Sequence, residues 1–298
     1  MYDRILIPVD GSDAARRAAE SGFKLAQSFD ASVDVLYVLD REARRLARTD
    51  DEKRELRERG EQTLGEVEAV GAEFGCAVET ALLEGRPSTR ICEYAAERDA
   101  DLVAMGRGAR RGLRRRLLGG VTEYVLTHGD VPVLVVPESE RRPREGIEYE
   151  RLLLPTDGSE NAEAATDHGV AIAGRFRSKV HVLNVADLQS AGGLFSAGGL
   201  EREFVERLES RGREATQRVA ERIESLAPDV DFETDVVRTA DFDGVAPGIH
   251  DYAVDREVDL VVMGSHGRSN LRSQLLGSVT SELLRGGDLP VLVVKRES

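Results

Sequence analysis

The residues whose types and spacing could do chemistry centre on Gly264-Ser-His-Gly267, followed nine residues later by Gly277-Ser278. Glycines at 264 and 267 let a backbone approach a ligand and enter conformations closed to other residues. Gly277-Ser278 stands where a helix is expected to begin. Main-chain N–H groups and the positive end of the helix dipole would there face an anion, with the Ser278 hydroxyl as a further donor. The chemistry this pattern suits is the holding of a polyphosphate. Asp157, in Pro155-Thr-Asp-Gly-Ser159, follows an apolar run that reads as a strand. In an open parallel sheet ligands bind beyond the carboxyl ends of the strands near the switch point, and Asp157 and the glycine loop should meet there.

These segments occur twice. Arg4-Ile-Leu-Ile-Pro-Val-Asp-Gly-Ser12 returns as Arg151-Leu-Leu-Leu-Pro-Thr-Asp-Gly-Ser159, and Asp101-Leu-Val-Ala-Met-Gly106 as Asp259-Leu-Val-Val-Met-Gly264. Leu117-Leu-Gly-Gly-Val-Thr122 matches Leu275-Leu-Gly-Ser-Val-Thr280, and Gly129-Asp-Val-Pro-Val-Leu-Val-Val136 matches Gly287-Asp-Leu-Pro-Val-Leu-Val-Val294. Four blocks in unchanged order predict two copies of one domain, at 1–138 and 149–298. A polar, proline-broken linker over 139–148 joins them.

In the first copy Ile5–Val9 reads as a buried strand, and Ala14 to Phe29 carries a helical period with Ser12 and Asp13 as caps. Val33–Val38 reads as strand, and the charged stretch Arg41 to Phe74 as one long helix with Leu56, Leu64, Val67 and Val70 inward. Ala77–Leu83 reads as strand, Ser88–Arg98 as helix, Asp101–Met105 as strand, Val121–His128 as helix and Val133–Val136 as strand. This alternation predicts an α/β fold with a parallel sheet covered on both faces. The second copy is eleven residues longer, with seven extra after Val185 and four between Thr234 and Ile249. The first insert contains Ser190–Gly199, either a flexible loop or, through Leu194 and Phe195, a lid or docking segment.

The chain of 298 residues carries a net charge of −14, which argues against nucleic acid as main partner. Only Lys24, Lys53, Lys179 and Lys295 are lysines. An acidic, lysine-poor surface fits a halophilic protein, although a GC-rich genome also favours arginine. No apolar run is long enough to span a membrane, and Met1-Tyr-Asp-Arg leaves no room for a signal peptide. Cys76 and Cys92 have no partner at ligand or disulfide spacing, so the expectation is a cytoplasmic protein without a metal centre.

Pro-x-Asp-Gly-Ser after the first strand, combined with Gly-x-x-Gly-nine-Gly-Ser after the fourth, resembles the universal stress protein family. The tandem pair covers nearly the whole chain. The resemblance implies a five-stranded parallel sheet in each domain, of the Rossmann-like, adenine-nucleotide alpha-hydrolase-like class. It implies ATP as ligand, with an accompanying Mg²⁺ left open. It also implies that the two Val-Leu-Val-Val strands pair as an internal pseudo-dimer, covering two sheet edges; further homo-oligomers stay open. By the same resemblance Pro155 and Asp157 line the adenosine end, and Val185 offers its backbone to adenine. Met263, Gly264, Ser265, His266, Gly267 and Arg268 wrap ribose and phosphates, and Gly277, Ser278 and Val279 hold the phosphate tail. Pro8, Asp10, Val38, Gly106, Arg107, Gly119 and Gly120 occupy the corresponding positions of the first copy.

That copy departs from the pattern. Ala109 stands where Gly267 stands, and Gly120 replaces Ser278. An alanine at a close-approach or positive-φ position costs roughly 1 kcal/mol, and a lost phosphate hydroxyl about 1 kcal/mol, together about thirtyfold in affinity. Arg110, Arg111, Arg114, Arg115 and Arg116 could recover anion affinity or simply form a solvated helix face. The second site is therefore expected to be the better occupied. Bland readings exist for each motif: Asp10 and Asp157 could cap a turn, the glycines could serve a structural turn, and His266 could contribute only its backbone. His128, His168, His181 and His250 show no pattern. The expected function is an adenine-nucleotide-binding stress-response switch or adaptor, not an enzyme. The alternatives are a slow ATPase or phosphotransferase and a nucleotide-free interaction module.

Overall fold

The computed structural model describes residues 1–108, 118–138, 149–188, 202–239, 244–267 and 276–295. It divides into two compact units, Met1–Ile147 and Glu148–Ser298. The linker, Ala109, the Arg110–Arg116 cluster, Arg268, the 190–199 segment and, within the stretch between Thr234 and Ile249 that holds the four extra residues, positions 240–243 lie outside the described residues.

Unit 1 runs β1 (Arg4–Val9), α1 (Asp13–Phe29), β2 (Ser32–Asp40), α2 (Arg41–Leu46), α3 (Asp50–Glu73), β3 (Val78–Gly85), α4 (Pro87–Glu97), β4 (Leu102–Gly106), α5 (Gly120–His128) and β5 (Val133–Val136). Its five strands are parallel in the order β3-β2-β1-β4-β5. Unit 2 repeats this as β6 (Arg151–Pro155), α6 (Glu160–Phe176), β7 (Lys179–Ala186), α7 (Arg202–Leu226), β8 (Phe232–Arg238), α8 (Val245–Asp255), β9 (Leu260–Gly264), α9 (Ser278–Gly286) and β10 (Val291–Val294). Its strands, also parallel, lie in the order β8-β7-β6-β9-β10. In both units the chain order reverses between the first and fourth strands, which opens a crevice at their carboxyl ends.

The strands are continuous apolar runs because both faces are covered. Ile5, Leu6, Ile7, Leu102, Leu134, Leu152 and Leu260 are fully buried. In unit 1, α1 meets α3 on one face and α4 meets α5 on the other. Close packing shows at Gly71 of α3, where a Cβ would lie 2.8 Å from the Phe23 ring of α1. The single helix expected over Arg41 to Phe74 is instead α2 and α3. Thr49 breaks it, accepting the Glu52 N–H at 3.1 Å while the Glu52 carboxylate accepts the Thr49 N–H at 3.2 Å, a capping box. Of its expected inner face, Leu64 and Val67 are buried while Leu56 and Val70 are only half-buried.

One buried position carries opposite chemistry in the two units. Asp34 on β2 pairs in register with Glu79, and His181 on β7 with Glu233, so Asp34 and His181 are equivalent. Asp34 accepts from Arg4 at 2.9 Å, Arg98 at 3.0 Å and Tyr94 at 3.3 Å. His181 Nδ1 lies 2.8 Å from Glu233 Oε1 and 3.4 Å from the Tyr252 hydroxyl, which donates to Asp235 at 2.6 Å. Burial pushes the His181 pKa below the ordinary imidazole value, with Glu233 opposing.

Candidate functional site

Pro-x-Asp-Gly-Ser forms a turn and a cap in both units. Asp10 Oδ1 accepts the Ser12 N–H at 2.9 Å, and Asp157 Oδ1 accepts the Ser159 N–H at 2.9 Å, each an Asx turn. Gly11 at φ 80° and Gly158 at φ 75° supply the left-handed residue that the turn needs. The serine then caps the helix: Ser12 Oγ accepts the Ala15 N–H, and Ser159 Oγ the Ala162 N–H. One aspartate oxygen therefore has the structural duty that the bland reading assigned. In unit 2 the other oxygen faces the glycine loop, since a Cβ on Gly267 would lie 2.4 Å from Asp157 Oδ2. Asp157 and that loop meet, as expected.

The reason for glycine in the loop differs from the sequence-based expectation. Neither Gly264 nor Gly267 has a positive φ; Gly108 of unit 1 does, at 66°. A Cβ on Gly264 would lie 2.8 Å from the Asn161 backbone carbon, and one on Gly106 would lie 2.7 Å from that of Ala14. These two glycines seat the strand end against the first turn of α6 or α1. Met263 is a buried core residue of β9. In unit 1, Pro8 is buried in β1 and Arg107 is half-buried beyond β4; in unit 2, Pro155 is half-buried at the end of β6.

The helix start is also corrected in one respect. The Gly277 N–H donates to Ser265 O at 2.9 Å, and the Gly119 N–H to Arg107 O at 3.0 Å, so neither glycine N–H faces an anion. Both are N-cap residues without a side-chain cap. The first N–H taken up inside α9 is that of Ser281, bonded to Gly277 O at 2.8 Å. The N–H groups of Ser278, Val279 and Thr280 are the ones the uncapped terminus presents, with Ser278 exposed. Gly120, Val121 and Thr122 present the same groups in α5. By contrast, α1 and α6 are closed by their serine caps.

Three features carried no interpretation in the sequence. Thr122 Oγ1 donates to Gly106 O and Thr280 Oγ1 to Gly264 O, both at 3.0 Å, tying each open helix start to its strand end. Their repetition in both copies was the available signal. Asn161 Nδ2 donates to His266 O at 3.2 Å, anchoring the loop in unit 2, where unit 1 has Ala14. His266 thus contributes its backbone, while its ring sits 3.0 Å from Ser265 Oγ. Burial, then the charge of Lys295, pushes its pKa below the ordinary imidazole value. In unit 1, Asp10 and Val38 line a cavity of about 550 Å³ together with Tyr37, Arg44, Lys53 and Arg57.

A universal stress protein family model matches residues 1–137 and again 148–295. The chain belongs to the universal stress protein family. The universal stress protein MJ0531 of Methanocaldococcus jannaschii is 36% identical over 145 residues, covering 47% of this chain and 85% of that protein. Rv2005c of Mycobacterium tuberculosis, also a universal stress protein, is 30% identical over 235 residues, covering 77% of this chain and 72% of that one. A crystal structure of a universal stress protein from Archaeoglobus fulgidus superposes with a TM-score of 0.74 at 20% identity, covering 100% of both chains, and shows the shared fold. No helix among the described residues is long and apolar enough to cross a membrane.

Proposed function

We propose that this universal stress protein binds an adenine nucleotide, ATP in the first instance, and acts as a stress-linked switch or adaptor without turning the nucleotide over. The observation that carries this reading is the uncapped start of α9, which is held to the 264–267 loop by the Gly277 N–H on Ser265 O, while Gly267 of the same loop meets Asp157. Unsatisfied N–H groups of Ser278, Val279 and Thr280 suit a phosphate tail. Asp157 suits a ribose hydroxyl, and the Val185 main chain suits the base. Gly277 keeps the loop and helix start close, since a Cβ there would lie 3.0 Å from Ser265 O. A bound polyphosphate would supply negative charge where the helix dipole favours it; these residues would bind and orient it. Phosphoryl transfer needs in addition a placed acceptor and a charge clamp, roles for which the described residues of this site offer Asp157 and Ser278.

The second site is proposed to be the better occupied, because its loop is anchored by Asn161 and carries Ser278. The two Val-Leu-Val-Val strands, each the last strand of its own sheet, are proposed to associate the halves as a pseudo-dimer. A cytoplasmic, salt-adapted protein fits the acidic composition.

The test is the identification, by mass spectrometry, of nucleotide released from the purified chain, with calorimetric titration of ATP into wild type, Asp157→Ala and Asp10→Ala. Expected are an adenine nucleotide, tight binding to wild type and the larger loss with Asp157→Ala. Absence of nucleotide and of any ATP binding would overturn the reading. Metal-dependent phosphate release abolished by Asp157→Ala would replace the switch with a slow ATPase.

A further inference from the structure

The central ladder ends differently in the two units. In unit 1 the last rung pairs Val9 with Tyr37, and since the ladder opens with the Ser32 N–H on Asp3 O, alternation brings the Val38 N–H to Val9 O. In unit 2 the last rung is Pro155 with Leu183, closed by the Thr156 N–H on Leu183 O at 2.8 Å. The next rung would take the Val185 N–H to Thr156 O. That oxygen instead accepts from Asn184 Nδ2 at 2.7 Å. The Asn184 amide fits because α7 carries Gly212 beside it, where a Cβ would lie 2.5 Å from Asn184 Oδ1. The Gly158 N–H, the other ladder candidate, is taken by Thr156 Oγ1 at 3.0 Å.

Alternation along a parallel strand points the N–H and C=O of one residue to the same neighbour. Leu183 bonds toward β6, so Val185 does too, past the last rung of that strand and on the side where the chain turns to Asp157. Val185 therefore presents a donor and an acceptor together. Val38, whose N–H is committed to Val9, presents only its carbonyl.

We propose that Asn184 is a specificity-determining residue of the second site, making it a two-point reader of the nucleobase edge while the first site reads one point. The inference rests on the adenine-nucleotide reading above. A neighbouring donor and acceptor complement the ring N1 acceptor and 6-amino donor of adenine. The lone Val38 carbonyl requires only the amino group.

The experiment uses the full chain and two probes, ATP and 1-deaza-ATP, which keeps the 6-amino group and replaces N1 by C–H. Asp10→Ala isolates the second site and Asp157→Ala the first, with affinity read by calorimetry. At the second site ATP is expected to bind roughly five- to tenfold tighter than the analogue, as for a donor left unmet. At the first site the two should agree within about twofold. Asn184→Ala, checked for folding by thermal unfolding, should let the extra rung form and abolish the second-site preference. Equal binding of both probes at the second site of the otherwise unaltered chain overturns the proposal, as does a preference that survives Asn184→Ala. Failure of ATP to bind either site overturns the nucleotide reading instead.

Discussion

Gly267→Ala probes the cradle most directly. The added methyl carbon would lie 2.4 Å from Asp157 Oδ2 and 3.4 Å from its Cγ. Because Gly267 has no positive φ, backbone strain contributes nothing and the whole effect passes through that carboxylate. Ordinary contact begins near 3.4 Å, so Oδ2 must retreat by about 1 Å or the loop must move by as much. Asp157 is pinned by Oδ1 on the Ser159 N–H at 2.9 Å. Swinging it away costs about 1 kcal/mol of folding stability through that bond. A charged acceptor misaimed at a ligand hydroxyl costs about 1.5–3 kcal/mol of binding, or roughly ten- to hundredfold in affinity. Calorimetric titration of ATP, paired with urea unfolding, separates the two effects. Gly65→Ala is the control: nothing lies within 4 Å of its added methyl, and an interior helical glycine replaced by alanine should gain roughly 0.5–1 kcal/mol. Wild-type ATP affinity and stability in Gly267→Ala would show that the loop and Asp157 do not act as one surface.

Three further outcomes are expected. Asp34→Ala removes a carboxylate whose side chain is 1% exposed and should cost about 2–3 kcal/mol in urea unfolding, less than a fully buried pair because Arg4 and Arg98 can turn to solvent. His181 has a folded pKa below its unfolded value, so the unfolded chain takes the proton first and stability is lost as pH falls from about 7. The drop in Tm between about pH 7.5 and 5.5 should shrink in His181→Asn, and His266, shifted in the same direction, should account for part of the remainder; an unchanged drop refutes the assignment. With a net charge of −14, raising KCl from about 0.1 M to about 2 M should raise Tm by screening self-repulsion, and a flat or falling Tm removes the salt-adaptation reading.

The alternation of strands and helices was legible because it rests on local signals. Apolar runs such as Val133–Val136 and the alanine stripe of α1 declare their periods within a few residues. The break between α2 and α3 was legible in principle, since Thr49 and Glu52 have capping-box spacing, but the helix-favouring charged residues on either side hid it. The purpose of each glycine was not legible. Gly158 serves a left-handed turn, Gly264 a strand end against α6, and Gly267 the approach of a carboxylate. All three look alike in sequence, because the difference lies in neighbours brought together by tertiary structure.

Comparing the two halves for identity finds what both must keep: the turn aspartate, the open helix start, and the threonine that ties it down. The same comparison is blind to what makes them differ. Asn184 stands opposite Tyr37, Asn161 opposite Ala14 and His181 opposite Asp34. Two of the exchanges change a hydrogen bond at the crevice, the Asn184 amide on Thr156 O and the Asn161 amide on His266 O; the third inverts a buried charge partner near the amino ends of the strands. None of the exchanged residues is itself a glycine or a motif residue. Two units with one scaffold thus differ in the hydrogen bonds at the crevice and in a buried titratable group while every shared block stays intact. The divergent positions, not Ala109 or Gly120 alone, are where a difference in occupancy between the halves should be sought.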